Sequence, residues 1–266
     1  MKIKNNKKTI ILIDGFAGSG KGFYFNLLAK KINCYPIPTH DGLIELLKNK
    51  RKITSYEIKN HLNKYFVFEV AKNQQKDLYL EIPVPKFGSV KEKIKNFYFP
   101  PYHKIVNTNN LTKANVLNTI FPESDKPYLI MGQSGIGSKD FLIKFGFNVI
   151  LIHTNRSAYS CMCNLVSRVP LNHTPISKLW ARWNWSYFFI RGYPASIIYI
   201  NYRLSKEANL TINWPNIMDI KKIFKIYINK DDIPLDNSNK NPFWFNIFVL
   251  ITIPIMFLKI ILKRFN

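Results

Sequence analysis

Residues 9–31, TIILIDGFAGSGKGFYFNLLAKK, limit what this chain can fold into more than any other stretch. An apolar run at 10–13 meets a turn carrying Gly15, Gly18 and Gly20, and Lys21 follows at once. Phe23, Leu27, Leu28 and Ile32 then recur at helical spacing. Strand, glycine turn, lysine and helix, in that order, make Gly15-x-x-x-x-Gly20-Lys21 the pattern of a phosphate-binding P-loop. The glycines let backbone N–H groups curl inward as an anion nest. The helix N-terminus adds partial positive charge, and Lys21 a full one. A tight strand-to-helix turn that needs glycine only for its backbone angles gives part of the same pattern, but does not require the lysine. The residue after Lys21 is Gly22 and not the Ser or Thr whose hydroxyl helps hold Mg²⁺ in Walker NTPases.

The chain has 266 residues, 47% of them apolar and 15% aromatic, which excludes a disordered protein and permits a sizeable core. Its net charge of +23 sets up a field attractive to nucleotides, phosphorylated substrates, nucleic acid or anionic lipid. Richness in Lys, Asn and Ile is what a biased genome produces without functional demand, and no RNA- or DNA-binding motif accompanies it. No nucleic acid is therefore expected as a partner. Cys34, Cys161 and Cys163 are an odd number without zinc-type pairing, so free thiols in a reducing compartment are expected. The basic N-terminal residues run through 10–13 straight into Asp14, so no signal peptide is expected there.

Downstream, strands are expected at 34–38, 77–83, 127–131, 147–153, 196–202 and 224–228. Helices are expected near 54–70 behind a Thr54-x-x-Glu57 capping box, and at 138–145, 155–168, 178–190 and from 217. Residues 85–111 are basic, aromatic and irregular, as a substrate-side insertion or lid would be. Strands alternating with helices behind a P-loop imply an α/β fold, a parallel sheet with helices on both faces. The expected organisation is a domain at 1–230, a polar linker at 231–242 and a C-terminal hydrophobic helix at 243–264. Counted as a helix, 243–262 is about 30 Å long, enough for a bilayer core. Trp244 near its start, and Lys263 and Arg264 at its end, suit the membrane interface. The helix is accordingly expected to attach the chain to a membrane, spanning it or lying in its plane, with the soluble domain cytoplasmic; the alternative is an oily helix packed on the domain.

In open α/β sheets ligands bind at the carboxyl ends of the strands. The informative residues are therefore 15–22, His40 with Asp41, Gln133 with Ser134, and 154–160. In the last group, Arg156 after a buried strand and Ser160 in the following helix resemble the nucleotide 3′-phosphate site of the P-loop sulfotransferases. Trp180-x-x-Trp183-x-Trp185-x-Tyr187, followed by a segment ending Tyr202-Arg-Leu204, is similar to that family's tryptophan-rich helix and Tyr-x-x-Leu strand. The order of elements covers most of residues 8–215. The resemblance implies Ser19, Gly20, Lys21 and Gly22, within the loop of Gly15 and Gly18, around the 5′-phosphosulfate of PAPS. It implies Arg156 and Ser160 at the 3′-phosphate, and a hydroxyl of a small molecule, lipid or carbohydrate as acceptor. Gln133 stands where the family often carries a catalytic Glu or His.

For such a transfer Lys21 and the loop amides would stabilise charge on the bridging and leaving oxygens. His40, following a strand and beside Asp41, is the first candidate for the general base, and His103 the second. No metal site is expected, because sulfuryl transfer from PAPS requires none in principle. The loop is also similar to that of the cytidylate kinases, which implies ATP with Mg²⁺ as the alternative; Asp14, Asp41 and Glu81 are then the candidate carboxylates near Mg²⁺. A third reading is a catalytically silent membrane-bound protein that retains the fold and its anion nest.

Overall fold

The computed structural model describes residues 8–37, 41–50, 54, 66–67, 78–79, 84–85, 105–106, 112–121, 124–132, 135–168, 188–229 and 240–265. In chain order its main elements are β1 (Thr9–Asp14), α1 (Lys21–Lys31), β2 (Tyr35–Ile37), α2 (Asp41–Asn49), α3 (Lys113–Ile120), β3 (Tyr128–Met131) and α4 (Ser138–Lys144). There follow β4 (Asn148–Asn155), α5 (Ala158–Arg168), α6 (Tyr193–Glu207), β5 (Leu210–Asn213), α7 (Met218–Phe224) and α8 (Phe243–Phe265). Two short antiparallel pairings, Phe66–Val67 with Val84–Pro85 and Leu78–Tyr79 with Ile105–Val106, stand apart from the main sheet.

The main sheet has the order β2-β3-β1-β4-β5, and every pairing in it is parallel. β1 is central, and all six of its residues are buried. Because side chains alternate along a strand, Ile10 and Leu12 enter one apolar layer and Ile11 and Ile13 the other. The first layer packs against Ile44 and Leu47 of α2, Val116 and Leu117 of α3, and Leu142 of α4. The second packs against Tyr24, Leu27 and Leu28 of α1 and Ile220 of α7. Each buried Ile or Leu contributes roughly 1.5–3 kcal/mol. A one-residue slip of β1 would carry the Asp14 carboxylate into an apolar layer, so the register is firmly set. The expected α/β fold, a parallel sheet with helices on both faces and a C-terminal apolar helix, is the fold observed.

Four element assignments differ from expectation. Phe66 and Val67, expected within the helix near 54–70, form a short strand paired with Val84–Pro85 instead. Residues 196–202, SIIYINY, are not a strand but the middle of α6. Gly192 in the left-handed region and Pro194 in the first turn start this helix, and Ala195, Ile197 and Leu204 bury one face while Ile198 and Tyr202 stay exposed. The final strand is Leu210–Asn213 and not 224–228; Phe224 ends α7, and Lys225 takes φ 51°. Asn155 belongs to β4, and the helix after it begins at Ala158.

α8 packs along α6 and joins a third apolar cluster through Phe245, beside Phe16, Ala158, Cys161, Met162 and Ile197. Thr252 and Met256 are buried on the same face, whereas Phe243, Leu250, Leu258 and Leu262 are exposed. The helix contains Pro254, and its apolar stretch covers 20 residues with mean hydropathy 2.4. Residues 55–65 and 68–70 of the helix expected behind Thr54, most of the 85–111 insertion, residues 178–187 and most of the linker lie outside the described residues.

Candidate functional site

The loop between β1 and α1 is closed by contacts that explain its glycines. Gly20 is the N-cap of α1, with φ 98° and no side-chain cap, so the first turn of the helix opens on the loop. A Cβ on Gly20 would lie 2.3 Å from Cε3 of Trp214. Gly18, with φ 85°, would bring a Cβ within 2.8 Å of the Cys161 carbonyl oxygen on α5. Side chains are excluded here twice over, by backbone angle and by neighbours.

Lys21 opens α1 and is nearly buried, and its ammonium donates to the Gly15 carbonyl at 2.6 Å, across the base of the loop. Gly22, next in α1, is exposed. Ser19 is fully buried, with its hydroxyl 2.7 Å from that of Thr154 at the end of β4. Thr154 also donates to the Asp14 carbonyl at 3.3 Å. Asp14 accepts the Gly15 amide at 2.6 Å and the Gly135 amide at 2.8 Å, tying the loop to the turn after β3. The Gly15 loop is thus held by β1, β3 and β4 together.

Arg156 follows β4 directly and is brought onto the loop. Its guanidinium donates to the Gly18 carbonyl at 3.2 Å and stacks on Trp214, 5.1 Å from the ring centre. Asn164 of α5 donates to the same carbonyl at 3.3 Å. Trp214, just past β5, is held in turn by its amide to the Asn155 carbonyl at 2.8 Å and by edge contacts with Phe23 and Tyr24. The Tyr24 phenol donates to Asn216 at 2.8 Å, and burial pushes its pKa up. Lys21 and Arg156 therefore flank one glycine loop. Burial pushes the Cys161 thiol up to about 12, although both cations pull it down. Cys161 is free, as are Cys34 and Cys163.

Ser160 lies in the first turn of α5, buried, with its amide on the Ser157 hydroxyl at 3.2 Å. It precedes Cys161, whose carbonyl Gly18 approaches. His40, His103, Gln133, Ser134 and Glu81 lie outside the described residues, as does the side chain of Asp41. Among the described residues no group of three His, Cys, Asp or Glu could hold a metal ion.

Two contributors were not singled out from sequence. Trp214 gives no local signal, because its role comes from the approach of β5 to the loop. His153 is the last residue of the run FNVILIH, and it pairs in register with Asp14. It is buried, its Nε2 is 3.3 Å from the Asn201 amide oxygen, and its Nδ1 has no hydrogen-bond partner among the described residues. Burial lowers its pKa below 6.5, opposed by the Asn201 contact and the Asp14 charge.

No family model matches the chain, and no curated protein matches it. Among solved structures it is similar to the sulfotransferase domain of the olefin synthase from Synechococcus PCC 7002. The identity is 13%, the likeness covers 86% of this chain and 78% of that one, and the TM-score is 0.40.

Proposed function

We propose that the chain is a sulfotransferase-like enzyme that binds PAPS and passes its sulfuryl group to a hydroxyl acceptor. The observation that carries this reading is the pair of cations on one loop, with Lys21 across its base and Arg156 on its rim. A nucleotide with two separate anionic groups uses both, the 5′-phosphosulfate at Gly15, Gly18, Ser19, Gly20, Lys21 and Gly22, the 3′-phosphate at Arg156 and Ser160. In the transfer the acceptor oxygen bonds to sulfur as the bridging S–O bond breaks, leaving PAP. Lys21 stabilises charge growing on the bridging oxygen, and the loop amides hold the phosphate in line. The acceptor proton passes to a base, for which His40 beside Asp41 is the candidate.

A kinase using ATP with Mg²⁺ is the rival, favoured by the Gly15-x-x-x-x-Gly20-Lys21 loop, although Gly22 stands where the pattern has Ser or Thr. Calorimetric titration separates the two. PAP is expected to bind without metal, and Arg156→Ala to weaken it about tenfold or more through loss of a charge-assisted contact. Metal-dependent ATP binding with no affinity for PAP would overturn the proposal in favour of a kinase. Binding of neither, with Lys21→Ala indistinguishable from the parent, would identify a silent protein.

A further inference from the structure

We infer that α8 is an in-plane membrane-docking helix: one stripe is locked to the domain and the opposite stripe rests in the surface of an anionic bilayer. By length and hydropathy alone, the 20-residue apolar stretch would also serve as a membrane span. The packing argues against that. Halfway along α8, the Thr252 hydroxyl accepts from the Ala195 amide at 3.2 Å and donates to the Val249 carbonyl at 2.9 Å. Ala195 lies in the first turn of α6, whose N-cap, Gly192, supplies no side-chain bond, so α8 caps α6 from outside. Two turns farther on, the Lys259 ammonium donates to the Arg191 carbonyl and stands 5.2 Å from the centre of the Tyr193 ring. Gly192 meets the backbone of Met256 closely enough that a Cβ would lie 3.1 Å from its amide nitrogen.

Were α8 a span, its midpoint would sit at the bilayer centre and drag the turn at 191–192 and the N-terminus of α6 with it. Exposed Arg191 is part of that turn, and a charged side chain is costly at that depth. The helix lies along the domain instead. Its inner stripe is Phe245, Val249, Thr252, Met256 and Lys259. Its outer stripe runs from Phe243 (83% exposed) through Leu250 and Ile251 to Phe257, Leu258 and Leu262, without a charged residue among them.

Charge selects the occupant. Two copies, each of net charge +23, repel at close approach, whereas anionic headgroups attract the same surface. An apolar stripe of this length on a cationic body matches an anionic lipid surface. Docking would also hold the P-loop close to lipid, because Phe16 of that loop shares a cluster with Phe245.

The test uses the full chain and vesicles of phosphatidylcholine, with and without phosphatidylserine. The chain is expected to sediment with the anionic vesicles and less with the neutral ones. Leu250→Lys with Leu258→Lys should lower vesicle affinity about tenfold or more, while thermal unfolding and nucleotide titration stay at parent values. Added to preformed vesicles, Asn246→Cys and Asn266→Cys chains should both react with a membrane-impermeant maleimide, above the background of the native thiols. Protection of one end would establish a span and overturn the inference. So would unchanged vesicle binding by the double variant, or self-association through this helix without any affinity for vesicles. None of these outcomes depends on which nucleotide the P-loop takes.

Discussion

At the scale of single residues, Gly20 joins the loop to its surroundings, since it must take a left-handed backbone and must also leave room for Trp214. Gly20→Ala is expected to lower the unfolding free energy by about 2 kcal/mol or more, the sum of a disfavoured φ and a clash with the indole. Chemical denaturation measures it, and Trp214→Ala in the same chain should return part of the loss; strict additivity would mean that the contact carries nothing. His153 makes a separate statement about pH. Its pKa is lowered in the fold, so the folded protein binds fewer protons than the unfolded chain just below pH 6.5. The stability it contributes is complete above that pH and is lost as pH falls through the lowered value. Melting temperature should therefore drop between pH 7 and pH 5, with a gentler slope in His153→Gln; identical slopes would remove His153 as the cause. The loop itself was legible from sequence because glycine, lysine and flanking periodicity are local. The partnership of Arg156 with Trp214 was not, since it joins residues after two different strands. Arg156 could be suspected only from its place behind a buried run.

At the scale of elements, the residues read as one strand too many show where periodicity misleads. SIIYINY is continuous and β-branched, which suits a buried strand and an oily helix alike. The arbiter lay just upstream, where Gly192 and Pro194 form a helix start, and 15 residues follow without a break. By contrast 147–153 was legible as a strand because it is flanked by Gly146 and a polar loop, and it emerges as β4 with the same core. Missing β5 has a physical reason too. LTIN is short and only half-buried at an edge, so its apolar signal is weak. The cap that α6 lacks in its own sequence comes from α8. Thr252→Val keeps the shape but removes the acceptor for the buried Ala195 amide, and should destabilise the fold by about 1–2 kcal/mol. Hydrogen exchange would place that loss: the first turn of α6 and the middle of α8 should open together, and protection lost in α8 alone would contradict the shared cap.

For the whole molecule, the question is whether α8 is an appendage or part of the fold. Sequence alone divides the chain into a domain, a polar linker and a hydrophobic helix, and leaves open whether that helix is an anchor or packs on the domain. It packs on the domain. Phe245 is fully buried among Phe16, Ala158, Cys161, Met162 and Ile197, and its ring lies 5.4 Å from that of Tyr159. Losing a buried Phe side chain costs about 3–5 kcal/mol, and a cut before 243 also strips Met256 and the Thr252 cap. That is a large share of the 5–15 kcal/mol that typically holds a domain together. Deleting 243–266 is therefore expected to lower the melting temperature sharply and to weaken nucleotide binding, because Phe16 in the loop loses its packing. The lysine pair on the outer stripe touches none of these partners and should change neither. A truncated chain that melts like the parent and binds nucleotide equally well would make α8 an anchor and nothing more. If instead truncation unfolds the domain while the lysine pair only detaches it from vesicles, the two faces of one helix have separate duties. The inner face would then complete the core behind the Gly15 loop, and the outer face would hold that loop at a membrane surface.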